Sequence, residues 1–403
     1  MTMLTRRSFL ATTGLTIGAL GVAPRWLLRV AAQAQEKRKI LIVVFQRGAA
    51  DGLNMVVPFF EKRYSALRPS IAVAAPGAPN GGIDLDGRFA LHPSLQPLKE
   101  LWDSQRLAII HAAGSSDPTR SHFDAQDYME SGTQGRKLED GWLNRSVPLR
   151  RDRVSPMRAV AMGPQVPLTL RGSCGAIAVD DLSRSFQLGP PETAAVLERL
   201  YLTSSDVRLR EHGKGTFDAA RSLAAITKQP YTPANGAQYL GEFGRRLRQI
   251  AQLIKGDVGL EVAFADMGGW DHHTNETQQL GFLLREFGTS LAAFARDMGE
   301  RMTDIVLVTM SEFGRTTAEN GSGGTDHGHG NVMLVIGGMV RGGASYGEWP
   351  GLEQEQLFEG RDLAVTTDFR DVLGEVVSTH LGQNVAEVFP GHGVRASLGL
   401  LRS

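Results

Sequence analysis

The stretch Ser311–Gly330 reads SEFGRTTAENGSGGTDHGHG and lies between two apolar runs, Ile305–Thr309 and Val332–Ile336. Each run is short and rich in β-branched residues, which is typical of a strand buried on both faces. The stretch between them is dense in acids, histidines and arginine, spaced by glycines and small polar residues. Because polar loops at the ends of buried strands usually carry the chemistry of an α/β protein, we expect a functional site here.

The rest of the chain predicts an α/β fold. Three further apolar runs resemble buried strands: Lys39–Gln46, Leu107–His111 and Leu260–Ala265. Segments with helical periodicity separate these runs along the chain, and they include Ser94–Trp102, His122–Glu130 and Thr367–Leu381. Alternating strands and helices predict a three-layer α/β/α sandwich with a mostly parallel central sheet. No internal repeat or linker interrupts the pattern, so we expect residues 35–403 to form a single domain.

Residues 1–34 predict a signal for export through the twin-arginine pathway. Arg6 and Arg7 precede the apolar run Ala11–Ala23, and Ala32–Ala34 matches a small-x-small cleavage site. The apolar run is shorter than the about 20 residues that span a bilayer, although an uncleaved anchor is an alternative. No other long apolar run follows. We therefore expect a periplasmic or secreted protein without a membrane span in the mature chain.

Charge and cysteine content exclude several classes of function. The 403 residues include 43 acidic and 43 basic side chains without a basic stripe, which argues against nucleic acid as a partner. Cys174 is the single cysteine, so neither an intrachain disulfide nor a zinc site built from several thiolates can form. Oxygen and imidazole ligands remain, a mixture that suits Zn²⁺, Mn²⁺ or Mg²⁺.

Four predicted strands end in polar clusters, and loops at the carboxyl ends of parallel strands meet at one edge of a sheet. Structural alternatives stay open for several of these residues. Asp51 could form a turn, Asp271 could cap the following helix, and Glu312 could orient a histidine. The candidate metal ligands are Asp51, Asp271, His273, Glu312, Asp326, His327 and His329.

The candidate catalytic residues are Ser121, Arg47 and Arg315. Ser121 precedes a predicted helix, whose amino terminus stabilises an anion, so this serine could be a nucleophile activated by metal. Serine is also a common helix cap, and that structural role is the alternative. Arg47 and Arg315 could clamp a phosphate or sulfate group through paired hydrogen bonds, or could form surface salt bridges.

Four motifs resemble one family. They are QRGAADGLN at 46–54, TRSHFDAQDYMESG at 119–132, GGWDHHTNE at 268–276, and SEFGRT followed by GTDHGHG within 311–330. These motifs are similar to those of the twin-arginine-exported bacterial proteins known as domain of unknown function 1501. That family in turn resembles the alkaline phosphatase and sulfatase superfamily. The resemblance implies an alkaline-phosphatase-like fold, one or two divalent metals, and hydrolysis of phosphate or sulfate esters.

The resemblance also assigns roles to single residues. Asp51 fits the metal-binding acid after the superfamily's first strand, and Ser121 falls near the place of the nucleophile. His327 or His329 fits the late histidine that precedes the next strand. Members of the family are often encoded beside a second exported family, which implies a candidate partner protein from a neighbouring gene.

One departure from the superfamily bears on the number of metals. Asp271 and His273 fit its acid and histidine after a middle strand. The next strand is usually followed by an Asp-His pair, whereas Glu312 and Phe313 stand there in this chain. Phe313 cannot bind metal. Either residues 326–327 replace the pair from further along the loop, or one metal site is lost.

Two functional hypotheses follow from the sequence. The first is an exported, metal-dependent hydrolase of phosphate or sulfate esters, acting on a small anionic ester or a surface polymer. The alternative is a non-catalytic exported protein of the same fold that binds a cell-surface polymer or a partner protein. The acids, histidines and arginines after four strands favour the first hypothesis, and the missing Asp-His pair favours the second.

Overall fold

The central strand of the protein is β1, Ile40–Gln46, and all seven of its residues are buried. This strand was predicted from its continuous apolar run. The computed structural model describes residues 38–149, 155–182, 191–228, 230–393 and 395–402. The predicted signal segment, residues 1–34, lies outside the described residues. One compact unit begins at Lys39.

The remaining strands are β2 (Val56–Val57), β3 (Ile83–Asp84), β4 (Ala90–Leu91), β5 (Leu107–Gly114), β6 (Ala159–Met162), β7 (Ile177–Val179), β8 (Val262–Met267), β9 (Ile305–Met310), β10 (Asn331–Gly337), β11 (Ala344–Tyr346) and β12 (Thr367–Asp368). A nine-stranded sheet has the order β11-β5-β10-β9-β1-β8-β6-β7, and β12 pairs with β5 beside this path. Strands β2, β4 and β3 form a small antiparallel sheet.

The α-helices are α1 (Gly52–Met55), α2 (Lys62–Leu67), α3 (Lys99–Asp103), α4 (His122–Ser131), α5 (Trp142–Arg145), α6 (Pro191–Leu202), α7 (Val207–Thr227), α8 (Gly241–Lys255), α9 (Glu276–Met298), α10 (Phe369–Glu375) and α11 (Val385–Val388). Short 3₁₀ turns cover Pro93–Leu98, Leu168–Leu170, Gly299–Asp304 and Gln354–Gln356, and a π-helical turn covers Val376–His380. Among the described residues, none of the helices combines the length and apolarity needed to cross a bilayer.

Two predicted helices differ in detail from the observed ones. The segment predicted as Ser94–Trp102 is a 3₁₀ turn followed by α3, because Pro97 has no backbone N–H to continue an α-helical ladder. The late helix predicted from Thr367 begins at Phe369 instead. Its first two residues pair with β5, and the Asp368 side chain then caps α10.

The large sheet is mostly parallel, as predicted. Strand β1 runs parallel to β8 and β9, and β6 runs parallel to β7 and β8. Strands β11 and β12 run parallel to β5. Strand β10 is antiparallel to both β9 and β5, so among the described strands of this sheet it alone runs against the others.

The sheet is covered on both faces. Ile42 and Val44 of β1 belong to an apolar cluster with residues of α8 and α9. Leu41 and Val43 belong to a second cluster with residues of α5 and α10. Burial of each aliphatic side chain of this kind stabilises the folded state by about 1.5–3 kcal/mol. Two apolar layers on one sheet confirm the three-layer α/β/α sandwich.

The strand directions bring the predicted polar loops to one edge. The carboxyl ends of β1, β8 and β9 are in register, with Gln46 opposite Met267 and Phe45 opposite Met310. The amino end of antiparallel β10 lies beside the carboxyl end of β5, with Asn331 opposite Ala113. The loops that follow β1, β5, β8 and β9 therefore meet at this edge, and the loop after β9 is the one that leads into β10.

Candidate metal centre

Three residues from different loops bring potential ligand atoms together. His122, Asp271 and His327 each offer one such atom, and these atoms lie within 4.8 Å of one another. The Nε2 atoms of His122 and His327 are 3.0 Å apart, and Nε2 of His327 is 3.2 Å from Oδ1 of Asp271. Oδ2 of Asp271 is 3.5 Å from Nε2 of His122. Ligands about 2 Å from a tetrahedral zinc ion lie roughly 3.3 Å from each other, so this spacing fits one ion.

The outward nitrogens of the two rings fix their tautomers. Nδ1 of His122 lies 2.8 Å from Oε1 of Glu312, and Nδ1 of His327 lies 2.9 Å from the backbone oxygen of Arg120. Because a carboxylate and a carbonyl only accept hydrogen bonds, both Nδ1 atoms carry hydrogen when the rings are neutral. The two Nε2 lone pairs then face each other beside a carboxylate, an arrangement that needs a proton or a cation between them. The donor set fits a divalent cation, and the outer acceptors are those that metal-bound histidines commonly have.

Glu312 lies behind His122 and is not one of the grouped atoms. Its Oε1 also accepts from the backbone N–H of Gly48 at 2.8 Å and from Nε2 of Gln126 at 2.9 Å. Burial acts to raise the pKa of Glu312, but its donors, His122 first, hold that pKa below the ordinary value. The same hydrogen bond raises the pKa of His122. Glu312 therefore has the contacts of a carboxylate that orients a histidine.

His273 lies beside the group, between two carboxylates. Its Nε2 is 3.0 Å from Oδ1 of Asp271 and 3.1 Å from Nε2 of His327, and its Nδ1 is 2.9 Å from Oδ1 of Asp326. Asp326 thus contacts the outer nitrogen of His273, and this bond lowers the pKa of Asp326. The side chains of Asp271 and His273 are 41% and 42% exposed, against 24% for His122. Solvent reaches the group from the side of Asp271 and His273.

Asp51 lies in a buried ion pair outside the group. Nη1 of Arg68 is 2.5 Å from its Oδ2 and Nη2 is 3.1 Å from its Oδ1, and Asp51 also caps α1 by accepting from the N–H of Leu53. Burial acts to raise the pKa of Asp51, but Arg68 holds it below its ordinary value. Burial, together with Asp51, raises the pKa of the neighbouring Glu276 to about 9. Asp51 therefore already has a cationic partner, the Arg68 guanidinium.

Two further predicted residues have structural contacts. His329 is buried and stacks on Phe358, with ring centroids 4.1 Å apart, and burial lowers the pKa of His329. Ser121 caps α4, where its Oγ accepts from the N–H of Asp124 at 3.5 Å. These are packing and capping contacts, and neither residue belongs to the three-residue group.

Arg47 is held by the side chains around it. Its Nε donates to Asp266 at 2.8 Å, its Nη1 to Gln126 at 2.9 Å, and its Nη2 pairs with Glu130 at 2.9 Å. All three nitrogens are therefore engaged. Because Gln126 also donates to Glu312, Arg47 supports the orientation of the acid behind His122.

Arg315 is fully buried and holds Asp271. Its Nη1 donates to Oδ1 of Asp271 at 2.6 Å, while Nε and Nη2 donate to the hydroxyl and carbonyl oxygens of Thr325. This ion pair helps to keep the pKa of Asp271 low against the opposing effect of burial. Arg315 therefore acts on the group through Asp271, and each of its side-chain nitrogens already has a protein partner.

His122 is the grouped residue that was not predicted as a ligand. It directly follows the cap residue Ser121 in the motif at 119–132, so its position in the first helical turn was a usable signal. Phe313 closes the inner side of the group, with its ring centroid 5.0 Å from that of His122 and 5.2 Å from that of His327. The residue that cannot bind metal therefore forms an apolar wall against the two histidines.

These features define an α/β/α protein with a histidine-rich candidate metal centre at the carboxyl edge of its sheet. The chain belongs to the family described as Protein of unknown function (DUF1501), whose profile matches residues 38–388. The predicted family resemblance is confirmed. Comparison with the curated proteins finds no significant sequence match.

Solved structures that resemble the chain include sulfatases and alkaline-phosphatase-like enzymes. Ps i-CgsB in complex with k-i-k-neocarrahexaose is 11% identical, with 89% of this chain and 75% of that chain covered and a TM-score of 0.40. The PsFucS1 sulfatase from Pseudoalteromonas sp. is 11% identical, with 94% and 75% covered and a TM-score of 0.38. The phosphonate monoester hydrolase SpPMH from Silicibacter pomeroyi is 12% identical, with 88% and 75% covered and a TM-score of 0.37.

Proposed function

We propose that this chain is an exported hydrolase of phosphate or sulfate esters that depends on a divalent metal. The observation that carries the proposal is the pair of Nε2 atoms, from His122 and His327, that face each other beside Asp271. In this proposal these three residues hold one ion of zinc, manganese or magnesium and leave coordination positions open, as in catalytic sites. When bound, the ion supplies Lewis-acid activation of an ester oxygen or of water.

The protein's own residues orient the ligands and move a proton. Arg315 fixes Asp271, and Glu312 fixes the ring of His122. His273 lies on the exposed side of the group with Asp326 on its outer nitrogen, which suits it to accept a proton and return it during turnover. The capping bond of Ser121 supports water, rather than this serine, as the nucleophile.

Metal analysis and ester assays test the proposal together. The purified mature protein is expected to contain a divalent metal and to hydrolyse an aryl phosphate or an aryl sulfate. Loading with zinc, manganese or magnesium after chelation should restore turnover. A folded protein that binds none of these ions, or that stays inactive on both ester classes with each ion bound, would overturn the hydrolase proposal.

A non-catalytic binding protein is the second candidate. The observation that favours it is the closeness of His273 to both Asp271 and His327, since a fourth protein ligand closes the shell as in structural zinc sites. His273→Ala separates the two candidates. The hydrolase proposal expects retained metal and a loss of about 10²–10⁴ in turnover. The binding proposal expects weaker metal binding and no turnover of any ester, and Thr274→Ala is the matched control.

Export and domain organisation are parts of the same proposal. Residues 1–34 would direct twin-arginine export, and residues 35–403 would form a single domain acting on a surface polymer or a small ester. Replacing Arg6 and Arg7 with lysines should keep the protein in the cytoplasm with an uncleaved amino terminus. Export of that variant at the wild-type level would contradict the pathway.

A further inference from the structure

Arg120 and Arg361 flank His327 and keep unused guanidinium N–H groups. Nη2 of Arg361 donates to the backbone oxygen of His327, and Nδ1 of His327 donates to the backbone oxygen of Arg120. The Arg361 side chain is 45% exposed and the Arg120 side chain is 29% exposed. Within the part of the chain that the structure describes, Nη1 of each makes no hydrogen bond. Both cations therefore combine a place beside the candidate metal centre with donors that can bind a ligand.

A buried carboxylate holds the two guanidinium groups side by side. Oδ2 of Asp362 lies 2.7 Å from Nη2 of Arg120 and 3.3 Å from Nη2 of Arg361, and its Oδ1 accepts from Nε of Arg361 at 2.9 Å. The Asp362 side chain is fully buried. Because Asp362 restricts both side chains before any ligand arrives, little rotamer freedom remains to be lost on binding.

Glu359 covers the outer side of Arg120. One of its carboxylate oxygens lies 2.6 Å from Nη2 of Arg120, and the Glu359 side chain is 54% exposed. The backbone of Glu359 has a φ of 52°, a left-handed conformation that is unfavourable for a residue with a Cβ. Exposed ion pairs are weak, so a stronger oxyanion can displace this carboxylate.

The other arginines near the group have a protein partner at every side-chain nitrogen. Arg68 donates from all its side-chain nitrogens to Asp51 and to backbone oxygens. Arg47 and Arg315 are likewise paired at every side-chain nitrogen. An anion at the candidate metal centre would therefore meet free donors from the Arg120 and Arg361 side.

We propose that Arg120 and Arg361 bind the tetrahedral oxyanion of the substrate, a phosphate or sulfate group, and that Glu359 competes with it for the Arg120 guanidinium. The planar fork of an arginine matches two oxygens of such a group. The inference rests on the proposed function, because it names the residues that would select its anionic substrate. It also separates substrate binding from the paired arginines, Arg47 and Arg315.

Calorimetric titration of metal-loaded protein with inorganic phosphate and with sulfate tests this site. Arg361→Gln should weaken binding of at least one of these anions by about tenfold or more, since hydrogen bonds to charged groups are strong. Arg361→Lys should recover part of the loss, and Glu359→Gln should tighten binding severalfold. Arg296→Gln is the matched control, because Arg296 is also 45% exposed and paired with an acid. Arg296 lies roughly 30 Å along α9 from Glu276, the first residue of this helix, which follows the loop that carries Asp271 and His273.

The outcomes distinguish the anion site from the hydrolase proposal. Equal anion affinity in wild-type protein and Arg361→Gln overturns the site, even where esters are hydrolysed. Anion binding that depends on Arg361 without turnover of any ester supports the site while the hydrolase proposal fails. Undetectable binding of both anions to folded, metal-loaded protein also overturns the site. Weaker binding by Glu359→Gln overturns the competing role of Glu359.

Discussion

Replacing Glu312 with glutamine is expected to weaken metal binding by about 10- to 100-fold while the fold is kept. The change is nearly isosteric. The amide oxygen can still accept from the three donors at the Oε1 position, including Nδ1 of His122. The amide nitrogen would face Ser311, whose Oγ already donates to the backbone oxygen of Gln46 and can accept in return. The donors of Gly48, His122 and Gln126 keep an acceptor, so the principal loss is the negative charge.

The lower end of this range follows from that charge. A hydrogen bond to a charged group contributes about 1.5–3 kcal/mol, against about 0.5–1.5 kcal/mol for a neutral one. The difference of about 1–1.5 kcal/mol at His122 corresponds to nearly tenfold in affinity. Looser orientation of the His122 ring adds to this, which gives the upper end.

Zinc affinity of the metal-free protein, measured by competition with a chromogenic chelator between pH 5.5 and 8.5, is the assay. Because Glu312 raises the pKa of His122, the wild-type ring keeps its proton to a higher pH and the ion must displace it. Glu312→Gln should therefore bind more weakly at high pH, yet lose affinity only at a lower pH than wild type. Glu261→Gln is the control, since Glu261 is also a paired acid, 2.9 Å from Arg158, at the opposite edge of the sheet.

Wild-type affinity together with a wild-type pH profile in Glu312→Gln would refute the role assigned to Glu312 and the assignment of His122 as a ligand. An equal loss in the control would mean that any lost acid weakens the fold, which would contradict an orienting role for Glu312. Weaker zinc binding that is lost at the same pH as in wild type would support the effect of the missing charge. It would contradict competition between the ion and the proton on His122.

Four further changes test other parts of the structure. Chelation should lower the unfolding temperature measured by calorimetry, because an ion at a hundredfold excess over Kd adds about 2.7 kcal/mol to the free energy of unfolding. Asp271→Asn should show no such difference between chelated and loaded protein. Ser121→Ala should cost about 1 kcal/mol in denaturant unfolding through its cap and keep turnover within a few-fold, whereas a drop of about a thousandfold would make Ser121 the nucleophile. Burial lowers the pKa of His111 to about 3, so the unfolded chain takes up a proton at a higher pH than the folded protein does. The free energy of unfolding should therefore fall as the pH drops from about 6.5 towards 3, by up to about 1.4 kcal/mol per pH unit. His111→Phe should remove that contribution in urea titrations at pH 7 and 5. The pKa of Glu276 is raised to about 9, so the folded protein keeps a proton that the unfolded chain releases above a pH of about 4.5. The free energy of unfolding should therefore decline as the pH rises from about 4.5 to 9. Glu276→Gln should flatten this decline between pH 6 and 8.5.

The position of the site could be predicted from the sequence because strand direction alone determines it. Continuous apolar runs indicate strands covered on both faces, and parallel strands place the loops after them at one edge. Asp271 and His327 are grouped for this reason, although they are separated by more than fifty residues in sequence. The order and direction of the strands suffice to bring these two residues together, whatever contacts their side chains make.

The division between ligands and supporting residues could not be predicted in the same way. Ser121 and His122 are neighbours, yet one caps the helix and the other points to the group. Glu312 and Asp326 have the chemistry of ligands, and only their distances show that each contacts the outer nitrogen of a histidine. Such contacts depend on side-chain direction and reach, which residue type and spacing leave open.

Ion pairing between distant parts of the chain bears on how many ions the proposed site would hold. Asp51, expected as a ligand, is paired with Arg68, which makes four hydrogen bonds in a fully buried position. A second ion at Asp51 would have to displace this guanidinium and leave it buried without its carboxylate partner, a cost of several kcal/mol for a buried charge. Phe313 closes the inner side of the two histidines. The facing Nε2 atoms of His122 and His327 therefore fit the single ion that we propose, and Arg68 already supplies a positive charge at Asp51.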